Sequence, residues 1–179
     1  MREATIADAD LLELWHSSRD QIGEFNDFDQ PRHVPVRAAI AAGTLINEHG
    51  GRLVVERTAD GLPLGTVSWH AVRYGPNPES FAWNIGITLA PAARGKGYGG
   101  EAQRRLARFL FATTRVNRVE ACTDVDNRPE QRALEKAGFH REGVVRGAQY
   151  RAGSWHDLWM FAVVRSDLEA NDRDRPVNP

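Results

Sequence analysis

The sequence contains a single cysteine, Cys122, in a chain of 179 residues. One thiol cannot form an internal disulfide, which fits a reducing compartment. An excess of charge of one sign is also missing, because 23 lysines and arginines stand against 24 aspartates and glutamates and leave a formal net charge of -1. Without a basic excess, the chain is not expected to bind nucleic acid or an anionic membrane surface in general.

Long apolar runs are missing as well. No stretch approaches the roughly 18–20 apolar residues that cross a bilayer, and the first ten residues, MREATIADAD, lack the apolar core of a signal peptide. We therefore expect no membrane segment and a cytoplasmic location. The six histidines and the acids show no ligand spacing such as HxxxH or HExxH, so no metal is expected either.

Hydrophobic periodicity predicts a single α/β domain with a mixed sheet over residues 1–168. Helical spacing predicts helices over residues 7–19, 36–48 (weakened by Gly43), 101–113 and 129–137. Alternating or β-branched segments predict strands over residues 52–57, 65–72, 81–89, 118–123, 140–147 and 155–164. The order is α-α-β-β-β-α-β-α-β-β, and its central strand–helix–strand unit implies a parallel, right-handed crossover. Residues 169–179 are polar and charged, which predicts a disordered tail.

The most informative stretch is RGKGYGG at residues 94–100, which has four glycines between a predicted strand and a predicted helix. Glycine lets successive backbone N–H groups point to one side and admits a phosphate where a Cβ would obstruct it. The helix N-terminus adds unsatisfied N–H groups, and Arg94 and Lys96 add positive charge. The stretch therefore predicts a pyrophosphate site, although a plain flexible turn would show the same glycines.

Two other phosphate motifs do not fit this stretch. A Walker loop requires Ser or Thr after the lysine, and Lys96 is followed by Gly97. A Rossmann fingerprint requires G-x-G-x-x-G at the first strand-to-helix turn, whereas these glycines lie in the middle of the chain.

The segment RGKGYG at residues 94–99 resembles the R/Q-x-x-G-x-G/A signature of the GCN5-related N-acetyltransferases. The preceding NIGITLAP at residues 84–91 and the later NRPEQRALEKAGF at residues 127–139 are similar to the segments that flank this signature in the family. The segment EGVVR at residues 142–146 and Asp157 resemble the Rim-type branch, named for acetylation of ribosomal-protein N-termini. The resemblance covers nearly the whole chain in the family's order.

The resemblance implies a site for acetyl-CoA where two parallel strands, residues 81–89 and 118–123, splay apart. It implies that the first strand pairs with the pantetheine arm, that the glycine turn holds the pyrophosphate and that Asn127 contacts the pantetheine or its phosphate end. The implied cofactor-binding residues are Ile87, Thr88, Leu89, Arg94, Gly95, Lys96, Gly97, Tyr98, Gly99, Gly100 and Asn127. A neutral primary amine would attack the thioester directly, in a ternary complex.

The catalytic positions depart from the family's pattern. Asn84 stands where relatives often carry a glutamate base, and an amide cannot take a proton at neutral pH. Glu130 replaces the serine that serves as the thiolate acid, and Leu134 replaces the tyrosine of other branches. Glu130 is a candidate acid if burial raises its pKa, or else an acidic residue favoured by the helix dipole. His70 and His156 are candidate bases, or else ordinary surface histidines; solvent is a further candidate.

The acceptor is the part of the reaction that the sequence determines least. The loop GEFNDFD at residues 23–29 is acidic and aromatic, which suits a cationic amine such as a peptide N-terminus, polyamine or aminosugar, unless the loop is merely solvated. Transfer of a different acyl group, a hydroxyl acceptor and a non-catalytic acyl-CoA sensor also stay open. The branch implies a homodimer through the last strands. We expect Cys122 to be a buried, inert thiol and Asp157 to make a strand-end hydrogen bond.

Overall fold

The computed structural model describes residues 1–17, 19–28 and 35–167. Five α-helices lie within these residues: α1 (Ala9–Ser17), α2 (Arg19–Ile22), α3 (Val36–Ala41), α4 (Tyr98–Thr113) and α5 (Arg128–Ala137). Seven strands accompany them: β1 (Ile46–Asn47), β2 (Gly50–Glu56), β3 (Pro63–Arg73), β4 (Phe81–Leu89), β5 (Arg118–Asp124), β6 (His140–Arg151) and β7 (Ser154–Val164). The predicted α/β class is confirmed. The predicted tail, residues 169–179, lies outside the described residues.

The seven strands form one mixed sheet in the order β1-β2-β3-β4-β5-β7-β6. The larger core lies between the sheet and the pair α4 and α5, and its most deeply buried members include Val67, Leu106, Val119, Leu134 and Phe161. A smaller cluster involves the N-terminal helices and consists of Leu12, Trp15, Val36 and Val54. No helix in the described part of the chain is long and apolar enough to span a bilayer.

The predicted helix over residues 36–48 is wrong in its second half. α3 ends at Ala41, and Gly43 adopts a left-handed conformation with a φ of +65°. The N–H of Thr44 donates to the carbonyl of Ala39 at 2.9 Å, which closes the helix end in the manner of a Schellman motif. The released chain then forms the short strand β1, which pairs with β2. Gly43 terminates the helix here, whereas the sequence suggested only a weak point.

The strands β4 and β5 run parallel, as predicted, but are paired over only a short stretch. Their register pairs are Trp83 with Val119 and Asn84 with Glu120. Beyond these pairs β4 continues to Leu89 and β5 to Asp124, and no further β4–β5 pair forms in this fully described stretch. The two strands therefore splay apart and expose a backbone edge that an extended ligand can join as an added strand.

Candidate active site

A cleft lies where β4 and β5 diverge. Both strands line it, together with the start of α5, the short turn after α2 and the far end of β6. The lining residues are Phe25, Asn26, Ile85, Gly86, Ile87, Ala121, Cys122, Thr123, Asp124, Asn127, Glu130 and Gln149. Of the strand residues predicted to bind the pantetheine arm, Ile87 lines the cleft, and Thr88 and Leu89 continue the splayed end of β4.

The glycine-rich turn connects the end of β4 to α4. Gly95 and Gly97 both adopt left-handed conformations, with φ of +71° and +84°, and a Cβ on either would meet no atom within 4 Å. α4 begins directly after Gly97, and its first N–H groups have no partner within the helix. Open space next to free N–H groups is what a phosphate requires. Pyrophosphate binding at this turn stays a prediction.

The next two glycines serve the packing of α4 on α5. A Cβ on Gly100 would lie 3.0 Å from the carbonyl oxygen of Ala133, and a Cβ on Gly99 would lie 3.9 Å from the Cβ of Ala133. These glycines therefore let the start of α4 approach α5 closely. Tyr98 packs partly buried against the main core.

The two basic side chains of the turn differ in their surroundings. Arg94 donates from Nε to the carbonyl of Leu89 at 2.9 Å and from Nη2 to the carbonyl of Gln21. It therefore connects α2 to the end of β4, a role that the sequence did not suggest. Lys96 is exposed on the turn. Of the two side chains, Lys96 is the one that can approach a phosphate without breaking the hydrogen bonds of Arg94.

Asn127 and Glu130 lie together at the start of α5 and line the cleft. Asn127 is the N-cap, and its side-chain oxygen accepts from the Glu130 N–H at 3.3 Å. Burial raises the pKa of the Glu130 carboxyl from 4.5 to about 7, an effect partly opposed by the side-chain amide of Gln103. A carboxyl with this pKa is able to hold a proton near neutral pH. Leu134, which the resemblance aligns with the tyrosine of other branches, is a fully buried core residue.

The raised pKa of Glu130 makes the stability of the protein depend on pH. Because the folded-state pKa exceeds the ordinary value, this carboxyl contributes stability that is complete below pH 4.5 and lost as the pH rises through about 7. Relative to Glu130→Gln, the unfolding free energy of the unsubstituted protein should fall by about 2 kcal/mol between pH 5 and pH 8. Urea unfolding at both pH values measures this. Glu135→Gln, a substitution at an exposed site on the same helix, is the control and should keep the pH dependence of the unsubstituted protein. If the unfolding free energies of Glu130→Gln and Glu135→Gln change equally with pH, the pKa of Glu130 is not raised.

The two candidate histidines lie outside the set of residues that line the cleft. His70 is exposed on β3, in register with Asn84. His156 has both ring nitrogens in contact with neighbours: Nε2 lies 3.1 Å from the carbonyl oxygen of Arg151, and Nδ1 lies 3.2 Å from Asp124 Oδ2. The carboxylate beside His156 is therefore that of Asp124, at the end of β5.

Asp157 makes a structural hydrogen bond, as expected, but it lies within the β6–β7 hairpin, where the register shifts between Val145 and Gln149, rather than at a strand end. Its Oδ1 accepts from the backbone N–H of Gly147 at 2.7 Å. Cys122 is partly rather than fully buried and lines the cleft, with its sulfur 3.6 Å from that of Met160. Burial and the nearby Glu120 charge raise the pKa of this thiol, which keeps it in the unreactive protonated form.

Asp124, which lines the cleft, forms an ion pair with Arg151 that sequence reasoning missed. Both side chains are almost fully buried, with exposures of 1% and 7%. Arg151 also donates from Nη1 to the carbonyl of Glu24 at 2.9 Å, and its guanidinium carbon lies 5.4 Å from the centre of the Phe25 ring. This arginine therefore fastens the turn Glu24–Asn26, one wall of the cleft, to the sheet.

Replacing Arg151 by leucine should destabilise the protein by about 3–5 kcal/mol, because the carboxylate of Asp124 would stay buried without its charge partner. The wall at Phe25 and Asn26 would also lose its attachment. Urea unfolding measures the loss of stability. Arg146→Leu, an exposed site on the same strand, should change stability by less than about 0.5 kcal/mol. Equal losses in the two variants would argue against the buried pair.

A second missed carboxylate, Glu120, lies where β4 and β5 make their last pair. It is 1% exposed and accepts from Tyr74 Oη at 2.6 Å, from Arg118 Nε at 2.8 Å and from Asn84 Nδ2 at 3.4 Å. Burial raises the pKa of Tyr74, with the Glu120 hydrogen bond adding to it, so the phenol stays a donor. Asn84, which the resemblance aligns with the glutamate that relatives often carry, is thus a hydrogen-bond donor to a buried carboxylate.

Solved structures of acetyltransferases share this architecture. The ribosomal-protein-S5-alanine acetyltransferase from Vibrio fischeri matches with a TM-score of 0.76 and 19% identity over 93% of this chain and 92% of that chain. The spermidine N-acetyltransferase from Vibrio cholerae, solved with CoA and spermine, matches with a TM-score of 0.75 and 18% identity over 93% of this chain and 95% of that chain. The fold is therefore that of the acetyltransferases.

The chain belongs to the GNAT acetyltransferase family, because the family model for the acetyltransferase (GNAT) domain matches residues 1–140. This confirms the resemblance found in the sequence. "Probable N-acetyltransferase YjcK" from Bacillus subtilis (strain 168) is 35% identical over 111 residues, which span 62% of this chain and 60% of that protein. "Uncharacterized N-acetyltransferase p20" from Bacillus licheniformis is 24% identical over 172 residues, or 93% of each. The match to the first relative thus covers less than two thirds of its length.

Proposed function

We propose that the protein transfers the acetyl group of acetyl-CoA to a primary amine. The observation that carries the proposal is the splay of β4 from β5 after their last register pair, next to the glycine turn that begins α4. The splayed edge suits the amide-bearing pantetheine arm, and the turn suits the pyrophosphate. Membership of the GNAT family supports the same cofactor.

The proposed reaction is direct attack of the neutral amine on the thioester carbonyl. The N–C bond forms, the C–S bond breaks, the amine proton passes to solvent, and the departing thiolate receives a proton. Glu130 is the proposed donor of that proton, because it lines the cleft and burial raises its pKa to about 7. Neither imidazole, at His70 or His156, contributes to the cleft lining, which supports solvent as the base.

The proposed acceptor is either a protein N-terminus or a small cationic amine. Two structural neighbours offer one example of each class: the Vibrio fischeri enzyme is a ribosomal-protein-S5-alanine acetyltransferase, and the Vibrio cholerae enzyme was solved with spermine. The amide side chains of Asn26 and Gln149 lie in the cleft lining and offer polar groups to either acceptor. Of the acidic–aromatic loop at residues 23–29, the last position, Asp29, lies outside the described residues.

Thermal unfolding with and without acetyl-CoA, followed by release of CoA thiol, tests the proposal. A ligand at 100 times its Kd adds about 2.7 kcal/mol of stability, so binding should raise Tm by several degrees. Polyamines, aminoglycosides and peptides with free N-termini are offered as acceptors, and propionyl-CoA and succinyl-CoA test the acyl group. Thiol release with one amine class identifies the acceptor. A Tm shift with no release from any acceptor would favour a non-catalytic acyl-CoA sensor, and no shift would refute the cofactor site.

A further inference from the structure

Gln103 is a polar residue in an apolar environment. It lies on the face of α4 that also carries Leu106 and Leu110, and only 1% of it is exposed. Its amide nitrogen is buried and, among the described residues, donates no hydrogen bond of normal geometry. Burying an amide N–H without a partner costs free energy, so a buried and unpartnered amide requires a structural or functional explanation.

The amide lies where α4 meets α5, next to the proposed cofactor site. Its nitrogen is 4.0 Å from the position that a Cβ on Gly99 would take, and the same position is 3.9 Å from the Cβ of Ala133. Ala133 follows Glu130 by three residues, about one turn of α5. Gln103 is therefore buried between the first turn of α4 and the first turns of α5.

The amide also influences the carboxyl of Glu130. Burial raises the pKa of that carboxyl, and the Gln103 side chain lowers it, as expected of an N–H donor that favours the ionised form. Among the described side chains, Gln103 is the one that opposes burial in this way. The unpartnered amide, buried against the first turns of α5, is thus the neighbouring donor for the titratable group that the proposed reaction uses.

We propose that Gln103 is a positioning residue for Glu130: its amide N–H directs the carboxyl into the cleft and binds the carboxylate that remains after the proton has passed to the CoA thiolate. This inference rests on the proposed function. In the step, the O–H bond of Glu130 breaks, an S–H bond forms on CoA, and the carboxylate accepts from Gln103 until solvent returns the proton. Gln103 itself exchanges no proton and does not contact the reacting atoms.

Gln103→Met tests the inference because methionine keeps the length of the side chain and removes the donor. The alkaline limb of the kcat–pH profile should move upward by at least about half a pH unit, since the carboxylate loses stabilisation. The plateau of kcat should fall about 3- to 10-fold, while KM for acetyl-CoA changes less than about twofold. In a Glu130→Gln background the same substitution should have no further effect on kcat.

Gln131→Met is the matched control. Gln131 is also a buried glutamine, but its amide donates to the carbonyls of Asp124 and Val125, at 3.2 and 2.8 Å. Its replacement should lower Tm and leave the pH limb in place. If Gln103→Met behaves in the same way, or acts equally with and without Glu130, the positioning role is refuted.

A second measurement separates this inference from the proposed function. Carbon-13 NMR of the Glu130 carboxyl, followed from about pH 4 to pH 9 in the absence of any substrate, reports its pKa directly. Gln103→Met should raise that pKa, and an unchanged value would refute the proposed interaction between Gln103 and Glu130. Lack of thiol release by the unsubstituted protein would instead refute the proposed function alone, because the titration does not depend on turnover.

Discussion

Replacing Glu130 by glutamine is expected to lower kcat for acetyl transfer about 100-fold or more at pH 7. The variant keeps the size and the N-terminal position of the side chain on α5 but has no proton to give to the thiolate. Its affinity for acetyl-CoA should stay within about twofold, because the proposed cofactor contacts belong to β4, the glycine turn and Asn127. Thiol release and acetyl-CoA-induced thermal shifts measure the two quantities.

The pH dependence identifies the role of Glu130 more sharply than the loss of rate. As an acid, Glu130 acts in its protonated form, so kcat should fall as the pH rises through about 7. This limb should disappear in Glu130→Gln and persist in Glu135→Gln, the exposed control on the same helix. If Glu130→Gln stays active and its kcat still falls above pH 7, Glu130 is not the acid. It would then be an acidic residue that is favoured by the dipole at the N-terminus of α5.

The double substitution Gly95→Ala and Gly97→Ala is expected to weaken acetyl-CoA binding at least about tenfold, equivalent to about 1.4 kcal/mol. Both glycines have positive φ, and a Cβ on either would project into open space where the pyrophosphate is proposed to lie. The added methyl groups would obstruct the phosphate, and the strained backbone would shift the N–H groups that face it. Isothermal calorimetry with acetyl-CoA measures the loss.

The chain offers a closely matched control for backbone strain. Gly43 and Gly61 have φ of +65° and +72°, and a Cβ on either would also meet nothing within 4 Å. Their double replacement by alanine should cost similar stability, about 1–2 kcal/mol per site, while acetyl-CoA binds as before. If both double variants bind acetyl-CoA with the same affinity, the glycine turn is not the pyrophosphate site.

Helices and strands could be predicted from the sequence where interactions between neighbouring residues determine their bounds. β4 has the bounds that its alternation predicts, and Gly138 ends α5 in a left-handed conformation as expected of a helix-terminal glycine. The predicted helix over residues 36–48 is too long because several of residues 42–48 are compatible with a helix on propensity alone. Pairing with β2 decides their conformation, and that pairing is a tertiary event.

The sequence by itself determined the family, the order of elements and the glycine turn, because the backbone conformations and N–H groups of that turn belong to consecutive residues. Only the tertiary structure decided which side chains meet. Register between β5 and β7 brings His156 to Asp124, and the β6–β7 hairpin brings Arg151 to the same carboxylate across 27 residues. The packing of α4 on α5 buries the Gln103 amide against the first turns of α5. Such contacts depend on strand register and helix packing over long separations in sequence, which local patterns do not specify.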